Sequence, residues 1–180
     1  DLRSRLGLSN KLVVLYLSRL IMRKGLCHLI YAFSRLEKEM TDVALLICGN
    51  GDRKPYESLC RELGVKNVRF ANASDEKLCS YYSICDVFVL PSYTYKGTVE
   101  TWGLVLNEAM ALGKAVISTT AVGGAYDLVH DGVNGFLIKD ADVGGLHNAL
   151  RQILSNHDLR AKMGAESRRI IEDQFTYENM

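Results

Sequence analysis

No stretch of this 180-residue chain is apolar over the roughly 18–20 residues that a helix needs to cross a bilayer, and no signal peptide is legible. Neither sign of charge is in excess. Lys and Arg number 22 against 21 Asp and Glu, a net charge of +1, so the bulk balance points to neither nucleic acid nor an anionic membrane surface. The five cysteines (Cys27, Cys48, Cys60, Cys79 and Cys85) form no C-x-x-C pair. An odd, scattered set fits a reducing cytosol, and Cys48 and Cys85, in or beside strand-like runs, read as small core residues. His28, His130, His147 and His157 have no mutual spacing suited to a metal. There is no internal repeat and no low-complexity segment. The loop after the first strand lacks the G-x-G-x-x-G of a dinucleotide site, and no G-x-x-x-x-G-K-[ST] exists, since Gly113-Lys114-Ala115 fails at both ends.

What is present is a composition ordinary for a globular protein, 48% hydrophobic and 24% charged, in a chain long enough for one domain with a full core. Continuous apolar runs of strand length fall at Lys11–Leu17, Val43–Cys48, Val68–Ala71, Asp86–Leu90, Ala115–Ser118 and Gly135–Ile138. Helical spacing falls between them at Gly25–Leu36, Tyr56–Leu63, Asp75–Ile84, Leu104–Leu112, Tyr126–Val129, Asp142–Leu154 and Leu159–Ile171. The alternation predicts an α/β fold: a Rossmann-like parallel sheet of about six strands with helices on both faces. Ligands of such sheets bind beyond the carboxyl ends of the strands, at the switch in strand order. The informative loops are therefore Ser18–Gly25, Gly49–Asp52, Ala71–Ser74, Ser92–Gly103 and Thr119–Gly124. The chain begins at Asp1 rather than Met and stops at Met180 within a helical pattern, and is read as a piece of a longer protein.

The stretch Glu100–Gly113, ETWGLVLNEAMALG, carries the sharpest signal. Leu104 to Leu112 is apolar on almost every side, which predicts a buried helix. A buried carboxylate there, Glu108, needs something specific to hold, and a second, Glu100, lies eight residues upstream. Gly103 lets a ligand approach the backbone, and the first amides of the helix suit a phosphate. Carboxylates accept hydrogen bonds, so two of them flanking a phosphate are expected to bind sugar hydroxyls. The pattern points to a nucleotide sugar. Arg19, Arg23 and Lys24 stand near a helix start, where they oppose the helix dipole; a bound anion explains the arrangement. Asp140-Ala141-Asp142 resembles a D-x-D metal site but sits where Asp is a common N-cap. Cys27-His28 reads as packing.

Taken together, these residues resemble retaining glycosyltransferase family 4, specifically the C-terminal nucleotide-sugar-binding domain of its GT-B fold. The resemblance runs from about Val13 to Tyr177. Its most specific part is E-x7-E, Glu100 to Glu108. The family's G-R-L-x-x-x-K-G appears as Ser18-Arg19-Leu20-Ile21-Met22-Arg23-Lys24-Gly25, with Ser in place of the first Gly. Cys85–Ser92 resembles the strand leading to the sugar loop, and Val122–Val129 followed by Asp131–Phe136 resembles the segment after the fifth strand.

The resemblance implies a hexosyltransferase that moves a sugar from a UDP- or GDP-linked donor to an acceptor glycan or lipid, as in polysaccharide biosynthesis, with residues 1–180 as its single donor-binding domain. On this resemblance Arg19 and Lys24 are expected to hold the donor pyrophosphate and stabilise the leaving diphosphate, aided by the backbone of Trp102, Gly103 and Leu104. By the same resemblance Glu100 is expected to bind the transferred sugar and Glu108 the ribose diol, with the base near Asn72 and Ala73. It implies no cofactor and no metal, a cytoplasmic location, and no nucleic-acid partner. The resemblance implies an N-terminal acceptor domain of the same polypeptide outside these residues, so the isolated domain is expected to be inactive, with any membrane contact belonging to that half. The loop Tyr93–Val99 is longer than the family's usual one. Two other readings stay open: a nucleotide-sugar 2-epimerase of the same architecture, and a non-catalytic nucleotide-binding or protein-interaction domain.

Overall fold

In the computed structural model, which describes residues 2–72 and 78–175, the apolar runs form one six-stranded parallel sheet. The strands are β1 (Leu12–Leu17), β2 (Val43–Cys48), β3 (Val68–Ala71), β4 (Val87–Leu90), β5 (Ala115–Thr119) and β6 (Gly135–Ile138). The helices are α1 (Leu2–Arg5), α2 (Leu26–Glu39), α3 (Lys54–Leu63), α4 (Leu78–Ile84), α5 (Leu104–Ala111), α6 (Ala125–Leu128), α7 (Val143–Ser155) and α8 (His157–Gln174). Each expected element is present within a few residues. Among the described residues α1 and the short 3-10 turn Met22–Lys24 have no counterpart among the elements expected from sequence, and the start of the expected Asp75–Ile84 helix lies outside the described residues.

Strand residues alternate between two cores, which is why the strands read as unbroken apolar runs. Val14, Tyr16, Leu45, Ile47, Val87 and Val89 face the layer of α2, α3 and α7. Val13, Leu15, Ala44, Leu46, Phe88 and Leu90 face the layer of α4, α5 and α8. β1, β2, β4 and β5 are buried almost throughout, whereas β3 and β6 at the sheet edges are only partly so.

The order is β3-β2-β1-β4-β5-β6, so the direction of winding reverses between β1 and β4. β1 pairs with β2 along its whole length, but with β4 only at Val14↔Val87 and Leu15↔Phe88. The ladder between β1 and β4 thus ends before the strands do, and a crevice opens at the switch point. Gly25 floors it. This residue closes the short 3-10 turn Met22–Lys24 and precedes α2 with φ +71°, and a Cβ on it would lie 1.7 Å from the carbonyl oxygen of Pro91. Only glycine permits that approach of the β1 and β4 loops.

Candidate functional site

The loops after β1, β4 and β5 meet above the crevice, and backbone hydrogen bonds fix them to one another. The Tyr93 amide donates to the Arg23 carbonyl (3.0 Å), joining the β1 and β4 loops. The Glu100 amide donates to Ala121 (2.9 Å), and the Gly123 amide returns to the Glu100 carbonyl (2.8 Å), joining the β4 and β5 loops. Gly123 and Gly124 make this contact possible: a Cβ on either would fall 2.3 Å from the Thr101 oxygen and 2.5 Å from the Trp102 oxygen, respectively. The residues that carry chemistry are thereby held on crossed, mutually bonded loops rather than on free ones.

The first cluster is ionic. Lys24, buried although it is a lysine, donates to the Glu100 carboxylate, and Arg23 approaches the same oxygen at 3.5 Å. Side-chain exposure is 8% for Lys24 and 14% for Glu100, so this pair is largely removed from solvent screening. Together with Thr101, Trp102, Gly103, Leu104 and Val105, the three charged residues line a cavity of about 360 Å³ at the N-terminus of α5. Gly103 caps that helix at φ +87° and is buried against Leu90 and Val122, where a Cβ would meet side-chain atoms at 2.8 and 3.0 Å. The first amides of α5 have no carbonyl a turn behind them and face the positive end of the helix dipole. The Trp102 indole is fixed by donation to Asn107 Oδ1 (3.0 Å) and packs on Phe175.

The second cluster lies on the outward face of α5. Here the structure corrects the expectation of a wholly buried helix. Leu106, Ala109 and Met110 are buried, but Leu104, Glu108, Ala111 and Leu112 form an exposed stripe at helical spacing. Leu104 is 68% exposed and Leu112 41%, so apolar composition alone does not report burial here. Glu108 has a partner nonetheless: the buried Tyr82 phenol of α4 donates to its Oε2 at 2.6 Å. Burial first, and then the hydrogen bond to Glu108, push the Tyr82 phenol far above its ordinary pKa, so it acts as a fixed donor that orients the carboxylate.

Of the remaining candidates, Arg19 is exposed at the mouth of β1, and its carbonyl accepts from the Tyr16 phenol (3.0 Å). Asn72 is exposed; its Oδ1 accepts from Arg53, which also donates to the Ala71 carbonyl (2.9 Å). Ala73 lies outside the described residues. The structure thus brings together Lys24, Glu100, Trp102, Gly103 and Leu104 in one cavity, with Glu108 one turn along the same helix. Arg23, Arg53 and Tyr82 complete the constellation. A tyrosine late in a short helix, or an arginine in the turn after a strand, gives no pattern by which sequence alone could single out Tyr82 or Arg53.

The loop Tyr93–Val99 is a tight hairpin. Tyr95 and Thr98 exchange backbone hydrogen bonds at 3.0 and 2.9 Å, and Lys96 and Gly97, both at positive φ, form the two-residue turn. Asp140 holds its base by accepting from the Thr94 amide (3.0 Å), while Asp142 caps α7 by accepting from Gly145 (2.8 Å), the capping role expected for this pair. His28 packs edge-on against Tyr93, with ring centroids 4.7 Å apart, as a packing residue would. Among the described residues no group of three or more His, Cys, Asp or Glu is placed to hold a metal, and no helix is long and apolar enough to span a membrane. A larger cavity of about 490 Å³ between the β1 loop, α3 and Tyr95 is walled mainly by apolar residues such as Leu20, Met22, Tyr56 and Leu59, with Arg23 and Asp52 as its charged lining.

Comparison with known proteins shows the family. The family model described as glycosyl transferases group 1 matches residues 1–170. The GDP-mannose-dependent alpha-(1-6)-phosphatidylinositol monomannoside mannosyltransferase of Mycolicibacterium smegmatis is 35% identical over 176 residues, covering 93% of this chain and 45% of that protein. Among solved structures, the sucrose-phosphate synthase of Thermosynechococcus elongatus superposes with a TM-score of 0.86 at 32% identity, over 99% of this chain and 45% of the other. The Anabaena protein HepE, solved with UDP and glucose, gives a TM-score of 0.85 at 28% identity, over 97% of this chain and 47% of the other. The chain therefore spans about half the length of the relatives it matches. By its family model, its relatives and its fold, the chain belongs to the glycosyl transferases of group 1.

Proposed function

We propose that this chain is the donor-binding domain of a retaining GT-B hexosyltransferase, which transfers a sugar from a UDP- or GDP-linked donor to an acceptor glycan or lipid. The observation that carries the reading is the cavity at the α5 N-terminus, where a buried lysine, a second cation and the first helix amides converge beside a carboxylate. A pyrophosphate suits that set of donors and a neutral ligand does not. Lys24 and the amides of Trp102, Gly103 and Leu104 take the phosphates, with Arg19 reaching in from the mouth of the β1 loop. Glu100 accepts from hydroxyls of the transferred sugar, Glu108, steadied by Tyr82, accepts from the ribose diol, and the base lies toward Asn72 and Ala73.

The bond from the anomeric carbon to the phosphate oxygen breaks, and negative charge collects on the departing nucleoside diphosphate. Donors already fixed around that charge lower the barrier without reorganising. The acceptor hydroxyl, its position and its deprotonation belong to the domain that the longer relatives possess, so this chain by itself binds donor and transfers nothing. The five free cysteines suit a reducing, cytoplasmic site of action. A 2-epimerase of the same architecture is not favoured, since the matching family model and the named relatives are transferases. Titration calorimetry with UDP, GDP and the parent nucleosides tests the reading. Arg19→Ala is expected to weaken diphosphate binding while sparing nucleosides, and Glu108→Gln to weaken both. Equal losses for both ligand types in Arg19→Ala would remove the pyrophosphate role.

A further inference from the structure

The cavity sets a condition on any phosphate that enters it. The two cations that line this cavity are already engaged: the Glu100 carboxylate accepts from Lys24, and Arg23 stands 3.5 Å from the same oxygen. The pair is mostly buried, and the Glu100 backbone is fixed on both sides by hydrogen bonds to Ala121 and Gly123. A phosphate therefore competes with a carboxylate held close to the same cations. The outcome turns on what the ligand offers that carboxylate in return.

We infer that Glu100 discriminates between the intact nucleotide sugar and the spent nucleoside diphosphate, penalising the second. The inference rests on the donor-binding reading above. An intact donor displaces Glu100 from Lys24 and presents sugar hydroxyls, which are donors, to the freed carboxylate, so its lost hydrogen bonds are replaced. A nucleoside diphosphate brings no hydroxyl to that point. Its terminal phosphate also carries more negative charge than the phosphate of the intact donor. The carboxylate, 14% exposed, is then left facing an anion with little water around it. The same residue that receives the sugar therefore helps expel the product once the sugar has gone.

Titration calorimetry of wild type, Glu100→Gln and Glu100→Asp with UDP, GDP, UDP-glucose and GDP-mannose tests this. Removing the charge is expected to tighten the diphosphate of the cognate base about tenfold, equivalent to about 1.4 kcal/mol. The sugar conjugate is expected to bind no more tightly than before, so the donor-to-diphosphate affinity ratio collapses. Glu100→Asp keeps the charge and retracts it by one methylene, so its ratio is expected to fall between the two. A diphosphate affinity in folded Glu100→Gln equal to or weaker than wild type overturns the inference. So does a Glu100→Asp ratio at or above wild type, which holds even where the Gln variant does not keep its fold with Lys24 unpaired. Absence of diphosphate binding in all three proteins overturns the donor-binding reading itself, and this inference with it.

Discussion

Replacing Gly25 with alanine probes the joint on which the crevice is built. Two costs combine there. The backbone sits at φ +71°, a left-handed conformation that costs a residue with a Cβ about 1–2 kcal/mol. The new Cβ also lands 1.7 Å from the Pro91 oxygen and 2.7 Å from its carbonyl carbon, so the β4 loop must shift, an overpacking cost of about 1–3 kcal/mol. The sum is about 2–5 kcal/mol. Gly64 supplies the control. It has nearly the same dihedral, φ +69°, but a Cβ there would meet nothing within 4 Å, so Gly64→Ala isolates the conformational part at about 1–2 kcal/mol. Urea unfolding of both variants, followed by circular dichroism, gives the difference directly, provided that the m-values match wild type. Because the displaced segment runs on to Tyr93, which is bonded to Arg23, Gly25→Ala should also loosen the cation pair and weaken diphosphate binding. Equal destabilisation by the two substitutions would refute the account of a steric joint at the switch point.

Two further outcomes follow from groups beside the site and within the core. Burial pushes the thiols of Cys48 and Cys85 up to about 12 and that of Cys60 up to about 11, from an ordinary 9.0. Their folded values lie above the unfolded one, so the stability they contribute is complete below pH 9 and is lost as pH rises from there toward 12; melting temperature measured from pH 7 to 11 should begin to fall near 9. Tyr82→Phe removes the donor to Glu108; since Glu108 is exposed and water can replace the phenol, the stability cost should be about 1 kcal/mol. Nucleoside affinity measured on the same variant should fall, and an unchanged affinity would detach Tyr82 from the ribose site.

Most of the fold was legible because strand and helix signals were each driven by burial. A run such as Val43–Cys48 is apolar at every position because both faces are covered, and the regular alternation with helices leaves few architectures open. Where the signal was local the sequence brought neighbours together: Gly103 and Lys24, both singled out from sequence, line one cavity around the start of α5. Sequence says less where the structure depends on distant contacts. Burial of α5 was overestimated because Leu104 and Leu112 are apolar yet exposed, and composition cannot say which helix face is left uncovered. The pairing of Lys24 and Arg23 with Glu100 joins residues 76 and 77 apart, through loops whose crossing depends on Gly25, Gly123 and Gly124. Arg19, which the motif pairs with Lys24, lies at the exposed mouth of β1, and sequence alone does not show that Arg23 lines the cavity together with Lys24. Nor did the sequence expose Tyr82, whose hydrogen bond to Glu108 joins α4 to α5.

The most direct test is crystallographic: crystals of this chain soaked separately with millimolar UDP and GDP. The account predicts diphosphate density over the first amides of α5, in contact with Lys24, with Glu100 turned away from that lysine and the ribose within reach of Glu108. Nucleotide bound elsewhere, for instance in the apolar cavity beside Tyr95, with the Lys24–Glu100 pair undisturbed, would contradict it.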